Sequence, residues 1–268
     1  MPWRGAPSLA LGLALLLSGC AGLIGGKASV PTGDAPRPAP SGQGNLPGQG
    51  NLSVQKGRPG YVIGAPHGTT DTATDVIGLE LARRTGFGSA VATGFGKLDA
   101  DGRRYNVNRP TEGVPGSPPR SETETEGARR VFEAYGRSVA EASQGPLRLY
   151  VEVHGNAHED TAGRVEIATV GLSKEDAWQV KTLLELIRDS YLRGLAETPR
   201  LEILVEPVDT LRYSASASKS GGVLGRSEKG LHVELPKVAR TTSRDAYSAM
   251  LGDFLIQWAD LMARARGR

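Results

Sequence analysis

From residue 60 onward, short runs of β-branched and apolar residues alternate with longer segments in which apolar side chains recur every three or four positions. That switching between periods predicts α/β layering around a mainly parallel sheet. Strands are expected at Gly60 to Ala65, Ser89 to Phe95, Leu147 to His154, Arg164 to Val170, Leu201 to Val205 and Gly230 to Leu235. Helices are expected at Thr72 to Arg84, Glu122 to Ala142, Ser173 to Leu195 and Ser243 to Arg264. The third helix opens on Ser173-Lys-Glu-Asp176, which has the form of a capping box, and Val180, Leu183, Leu184, Ile187 and Tyr191 share one face. In the last helix Tyr247, Leu251, Phe254, Leu255, Trp258 and Met262 do the same. Both stripes read as core.

The first 59 residues follow different rules. Arg4, an apolar stretch from Leu9 to Leu17 and then Leu17-Ser18-Gly19-Cys20 resemble a bacterial lipoprotein signal. The resemblance implies cleavage before Cys20, lipidation of its thiol and a membrane anchor there. Ala21 after the cysteine implies the outer membrane, facing the periplasm, where a cell has two. The stretch is far short of the roughly 20 apolar residues that span a bilayer. Between Gly25 and Pro59 the chain is rich in Gly, Pro, Ser and Gln, with the near repeat Gly44-Asn-Leu-Pro-Gly48 and Gly50-Asn-Leu-Ser53. That composition reads as a flexible tether. Signal (1–19), tether (20–59) and one folded domain (60–268) are therefore expected.

Charge narrows the partners. A net charge of +3 over 268 residues, with no basic block interleaved with aromatics, gives nucleic-acid binding no support. Cys20 is the only cysteine, so an intramolecular disulfide and a thiolate-bound metal are both excluded. Any metal must be held by histidine and carboxylate.

There are four histidines. Tyr61-Val-Ile-Gly-Ala-Pro66 reads as a strand, so His67 falls at its carboxyl end, where open α/β sheets present ligands. Asp71 follows four residues later across a turn containing Gly68, with Asp75 a rival ligand one helical turn further on; Asp71 could instead cap the helix. Leu149, Val151 and Val153 alternate with Tyr150, Glu152 and His154, so His154 closes another strand. Two imidazoles and one carboxylate leave a fourth zinc position free for water, the pattern of catalytic sites. His158 competes as a ligand or an outer contact, and His232 is read as a non-ligand that shares a face with Glu234. Glu234, in Leu231-His-Val-Glu-Leu235, is the candidate general base, although the alternation fits an edge strand with a solvated face equally well. Asn108-Arg109-Pro110 offers an amide and a guanidinium fork for a substrate carboxylate, or ordinary turn material.

Pro66-His-Gly followed by an acidic residue, Asn106-Val-Asn-Arg-Pro110, Val153-His-Gly155 and Val233-Glu-Leu235, in that order, resemble the N-formylglutamate amidohydrolases and poly-γ-glutamate hydrolases of the zinc carboxypeptidase-like group. The resemblance covers about residues 60 to 240. It implies a three-layer α/β/α sandwich with a mainly parallel mixed sheet, one Zn2+, and hydrolysis of an amide bond beside a carboxylate in a peptide, γ-glutamyl or N-acyl amino acid substrate. Carried over by position, it makes His67, Asp71 and His154 the ligands, Asn108 and Arg109 the carboxylate clamp, and Glu234 the base. Zinc carboxypeptidases have Glu three residues after the first histidine, where this chain has Thr70; the hydrolases acting on γ-glutamyl bonds have it further on, near Asp71. Those peptidases also use a tyrosine on a mobile loop, and Tyr213 stands in a comparable place before Ser214-Ala-Ser-Ala-Ser-Lys-Ser-Gly-Gly222, a stretch that reads as a lid or as disorder. A lipoprotein on the same fold that only binds zinc or a ligand is the competing expectation.

Overall fold

Strands buried on both faces need apolar side chains on both, and the middle of this chain supplies them. A computed structural model describes residues 46, 50–96, 102–114 and 117–266, all within the compact unit Pro38–Arg268. The lipoprotein signal, Cys20 and most of the expected tether lie outside the described residues.

Among the described residues ten strands form two sheets: β1 (Asn51–Gln55), β2 (Arg58–Ala65), β3 (Phe87–Thr93), β4 (Arg104–Tyr105), β5 (Thr111–Gly113), β6 (Thr123–Glu124), β7 (Leu149–Gly155), β8 (Arg164–Val170), β9 (Glu202–Val205) and β10 (Lys229–Leu235). The main sheet has the order β1-β3-β2-β7-β10-β8-β9, and β4, β5 and β6 make a small antiparallel ribbon. The four strands β3, β2, β7 and β10 run parallel, while β1 is antiparallel to β3 and β8 to β10. The helices are α1 (Thr74–Thr85), α2 (Glu126–Ser143), α3 (Lys174–Leu192), α4 (Ser216–Gly221), α5 (Lys237–Arg240) and α6 (Arg244–Arg266).

Alternation along each strand assigns the layers. Ile63, Val151, Val153, Leu231 and Val233 enter one apolar cluster with residues of α1, α3 and α6. Val62, Ala90, Ala92 and Tyr150 enter a second cluster with Val131, Phe132, Tyr135 and Val139 of α2. One cluster on each face makes the three-layer α/β/α sandwich with a mainly parallel mixed sheet. The Ser173 capping box forms, with Ser173 Oγ accepting from the Asp176 amide and the Asp176 carboxylate accepting from the Ser173 amide.

Three stretches differ from the sequence reading. Residues 51–55, assigned to the tether, form edge strand β1, paired with 89–93 of β3. Leu52 buries itself there, but one short strand beside Gly and Pro offers too little pattern to stand out. The Ser/Gly stretch expected to be a lid or disordered contains α4, and Ser218 is buried. The helix expected from Glu122 starts at Glu126, with Thr125 as its cap, because Glu122 to Glu124 belong to the ribbon and its approach.

Candidate metal centre

The carboxyl ends of β2, β7 and β10 meet at one place. After β2 the chain turns tightly: the His67 carbonyl accepts from the amides of Thr70 at 3.0 Å and Asp71 at 2.8 Å. Gly68 permits this, since a Cβ there would lie 2.7 Å from Asp75 Cβ and 2.9 Å from the Ala92 carbonyl oxygen. The turn brings Asp71 Oδ2 to 3.5 Å from His67 Nδ1, and His154, near the end of β7, brings its own Nδ1 to 3.5 Å from the same oxygen. Bonds of about 2.0–2.2 Å to N and O ligands put neighbouring ligand atoms roughly 3.4 Å apart in a tetrahedron. The ligand atoms of His67, Asp71 and His154 all lie within 4.8 Å of one another. Asp75 joins no such group among the described residues.

Both imidazoles are fixed from behind. His67 Nε2 is 2.8 Å from the Asn106 carbonyl oxygen, which only accepts, so Nε2 carries the proton and Nδ1 is the nitrogen available to a metal. His154 Nε2 is 3.3 Å from Glu152 Oε2, which gives the second ring the same orientation. The Asn106 carbonyl is aimed by an unusual backbone: Val107 has φ +60°, and the Asn108 amide donates back to Asn106 at 2.6 Å. A β-branched residue in the left-handed region is costly, and such strain concentrates at functional sites.

Charge follows the same layout. Burial lowers the pKa of His67, with Asp71 opposing. Burial also disfavours the charged form of His154, but the carboxylates of Asp71 and Glu152 overcome it and raise its pKa to about 10. Desolvation pushes Asp71 and Glu152 upward, yet their histidine partners hold both well below the usual carboxylate range.

Glu152 is wholly buried. Its Oε2 accepts from Asn108 Nδ2 at 3.2 Å and lies 3.3 Å from His154 Nε2 and 3.2 Å from His232 Nδ1, polar company that keeps a buried carboxylate tolerable. Sequence reasoning missed it, although it lies two residues before His154 on the same strand face. Asn108, expected to hold substrate, is fully buried, with Nδ2 on Glu152 and on Ser218 Oγ at 3.2 Å. Arg109, its expected companion, forms a two-pronged pair with Glu122, including Nε to Oε2 at 2.7 Å, and also donates to Asn106 Oδ1 at 3.2 Å. In this structure the two clamp residues therefore serve protein carboxylates. The ribbon fold that brings Glu122 back is invisible in a local motif. The half-buried side chain of Arg104 on β4 instead has no hydrogen-bond partner among the described residues, and it lies in the field of Asp71 and of His67. Burial lowers its pKa, with the charge of Asp71 opposing.

Glu234 is 7% exposed, on a strand flanked by β7 and β8, so the solvated edge-strand alternative does not apply. Its Oε1 lies 3.1 Å from His232 Nε2, while Oε2, itself buried, has no hydrogen-bond partner among the described residues. Tyr213 is half-buried; burial raises its pKa, and the negative charge of Glu234 adds to the rise. His158 is elsewhere, exposed and accepting from Arg212 at 2.7 Å.

Arg240 binds the strand ends together. Its guanidinium donates to the carbonyls of Leu235 at 3.1 Å, Thr72 at 2.6 Å and Asn156 at 2.9 Å, one from each segment that builds the centre. A Cβ on residue 155 would clash with that guanidinium, which explains the glycine after His154. Two aligned histidine nitrogens, a carboxylate and an adjacent free carboxylate oxygen suit a divalent metal with an open side.

No family model and no curated protein matches the chain. Among solved structures it is similar to a bacteriophage poly-gamma-glutamate hydrolase at 13% identity, covering 81% of this chain and 93% of that one, TM-score 0.48. It is similar to a gene product from Agrobacterium tumefaciens at 11% identity, covering 79% and 94%, TM-score 0.41. A metallo-carboxypeptidase from Burkholderia cenocepacia matches at 10% identity, covering 79% of this chain and 61% of that one, TM-score 0.41.

Proposed function

We propose that this chain is a zinc-dependent hydrolase that cleaves an amide bond beside a carboxylate, tethered to the cell envelope through Cys20. The observation that carries the reading is the convergence of His67 Nδ1 and His154 Nδ1 on Asp71 Oδ2, each at 3.5 Å, beside Glu234. Bound there, zinc supplies Lewis acidity toward a carbonyl oxygen and makes a water acidic near neutral pH.

The chain's own groups do the rest. Glu234 Oε2 takes the proton of the attacking water and delivers it to the departing amine nitrogen, so one carboxylate serves as base and then acid. Arg104 presents a positive charge for the substrate's anionic group. Arg109 joins it where substrate displaces Glu122 from the guanidinium. Tyr213, in the field of Glu234, would offer its phenol hydroxyl to the substrate from that side. Peptides, γ-glutamyl compounds and N-acylated amino acids fit these demands.

Glu234→Gln is expected to leave one zinc per chain and abolish turnover, measured by metal analysis and a panel of peptides, γ-glutamyl amides and N-acyl amino acids. A purified chain that takes up no stoichiometric zinc at micromolar supply sinks the metallohydrolase reading. The engagement of Arg109 by Glu122 favours a second reading, a zinc- or ligand-binding lipoprotein without turnover. Zinc uptake with no cleavage across the panel selects it. The tether itself is checked by labelling with a fatty-acid analogue, which Cys20→Ser should eliminate.

A further inference from the structure

Among the buried groups around the centre, His232 has no task in the reaction just described. Its ring, 6% exposed, lies on β10 between two carboxylates, with Nδ1 3.2 Å from Glu152 Oε2 and Nε2 3.1 Å from Glu234 Oε1. It stacks on His154 at 4.0 Å between centroids with the planes 27° apart. The parallel register pairs His232 with Glu152 and Glu234 with His154, so all four share one face of two adjacent strands.

The contacts divide the work within each side chain. Glu152 holds the metal side through His154 Nε2 and the base side through His232 Nδ1, both on Oε2. Glu234 is held by Oε1 alone, and Oε2 is left unbonded. A glutamate has three rotatable bonds, and a base displaced from its proton by a fraction of an ångström loses most of its effect.

We infer that His232 is a positioning residue that fixes Glu234 by Oε1, and that Glu152 sets the distance between the second ligand histidine and the base by anchoring both. This rests on the reading of Glu234 as the base. It assigns a role to a histidine that neither binds the metal nor touches substrate. It also explains why a fully buried carboxylate stands behind the centre: one anchor for two partners keeps their separation constant.

The two links can be cut separately in the zinc-loaded chain, because a glutamine amide nitrogen stands close to where Nε2 lies and an asparagine amide close to Nδ1. His232→Asn, which can reach Glu152 but not Glu234, is expected to lower kcat about 100-fold with KM within about threefold. His232→Gln, which keeps the link to Glu234 but loses the one to Glu152, is expected to recover only part of that loss, the remaining deficit being the share of the Glu152 anchor, and both are expected to keep one zinc per chain. Equal loss in both variants, or kcat within about threefold of the parent in His232→Asn while Glu234→Gln is inactive, overturns the positioning role and leaves the base intact. Full activity in Glu234→Gln instead overturns the parent reading. Should no substrate turn over, histidine 15N NMR of the zinc-loaded chain still decides. A His232 Nε2 proton protected from solvent, and losing protection in Glu234→Ala, supports the link; rapid exchange in the parent overturns it. Two zinc ions per chain, one lost in His232→Ala, would overturn it in favour of a second metal held by Glu152, His154 and His232.

Discussion

His154 belongs to two clusters at once, one on each ring nitrogen. On the Nδ1 side stand His67 and Asp71, and on the Nε2 side Glu152 and His232. By residue type and spacing the two are near twins, each having two imidazoles and one carboxylate separated by 3.2 to 3.5 Å. They differ in how their donors are used. In the inner cluster Glu152 also accepts from Asn108, and every member is buried. In the outer cluster His67 and Asp71 are only partly buried, and both Nδ1 atoms face Asp71 while each Nε2 is engaged from behind. Ligand type and distance do not distinguish a metal centre from its support; the position of the protons and the access of solvent do.

Removing the shared member breaks both clusters and has the largest expected effect. His154→Ala should eliminate stoichiometric zinc and, by leaving Glu152 short of a donor in the interior, cost about 3–5 kcal/mol of stability, measured by denaturant titration. Touching only the inner cluster should be milder. Glu152→Gln keeps an oxygen that accepts from both histidines but loses the charge, and zinc affinity is expected to fall about 10- to 100-fold in a chelator competition, with the fold retained.

Proton competition sharpens the contrast next. The pKa of His154 in the metal-free fold is raised from 6.5 to about 10, so its contribution to stability is fully present below about pH 6.5 and is lost as pH rises through about 10. Zinc must displace that proton, so zinc affinity should increase with pH across the same interval, with proton release visible by calorimetry in buffers of different ionisation heat. The smallest effect is expected outside both clusters. Asp75→Asn should leave zinc content unchanged and shift stability by no more than about 0.5 kcal/mol, whereas Asp71→Asn should weaken zinc binding.

The strands and helices that carry the centre were legible because their periods are long enough to repeat, and the placement of His67 and His154 followed from where two of those strands stop. Asp71 could be named only beside Asp75, since a turn's geometry is needed to separate them. Glu152 was hidden in plain alternation, because one carboxylate on a strand face has no spacing signal until the neighbouring strand's register places His232 opposite it. The uses of Asn108 and Arg109 were unreadable for the same reason: their partners Glu152, Ser218 and Glu122 are supplied by other segments. Val107 left no trace at all, as nothing in an Asn-Val-Asn string announces a left-handed valine.

The position of β10 has a consequence for the order in which the molecule can be completed. It lies between β7 and β8 although both precede it in the chain, so until residues 229–235 insert, those two strands have open edges where the finished sheet has hydrogen bonds. The same late segment carries Glu234, and Arg240 follows five residues after the strand ends. His67, Asp71 and His154 can therefore be synthesised and even gathered before Glu234 and the Arg240 guanidinium clip exist. Closing the sheet and completing the side-chain cluster become one event, and a chain cut short before residue 229 is expected to expose sticky strand edges.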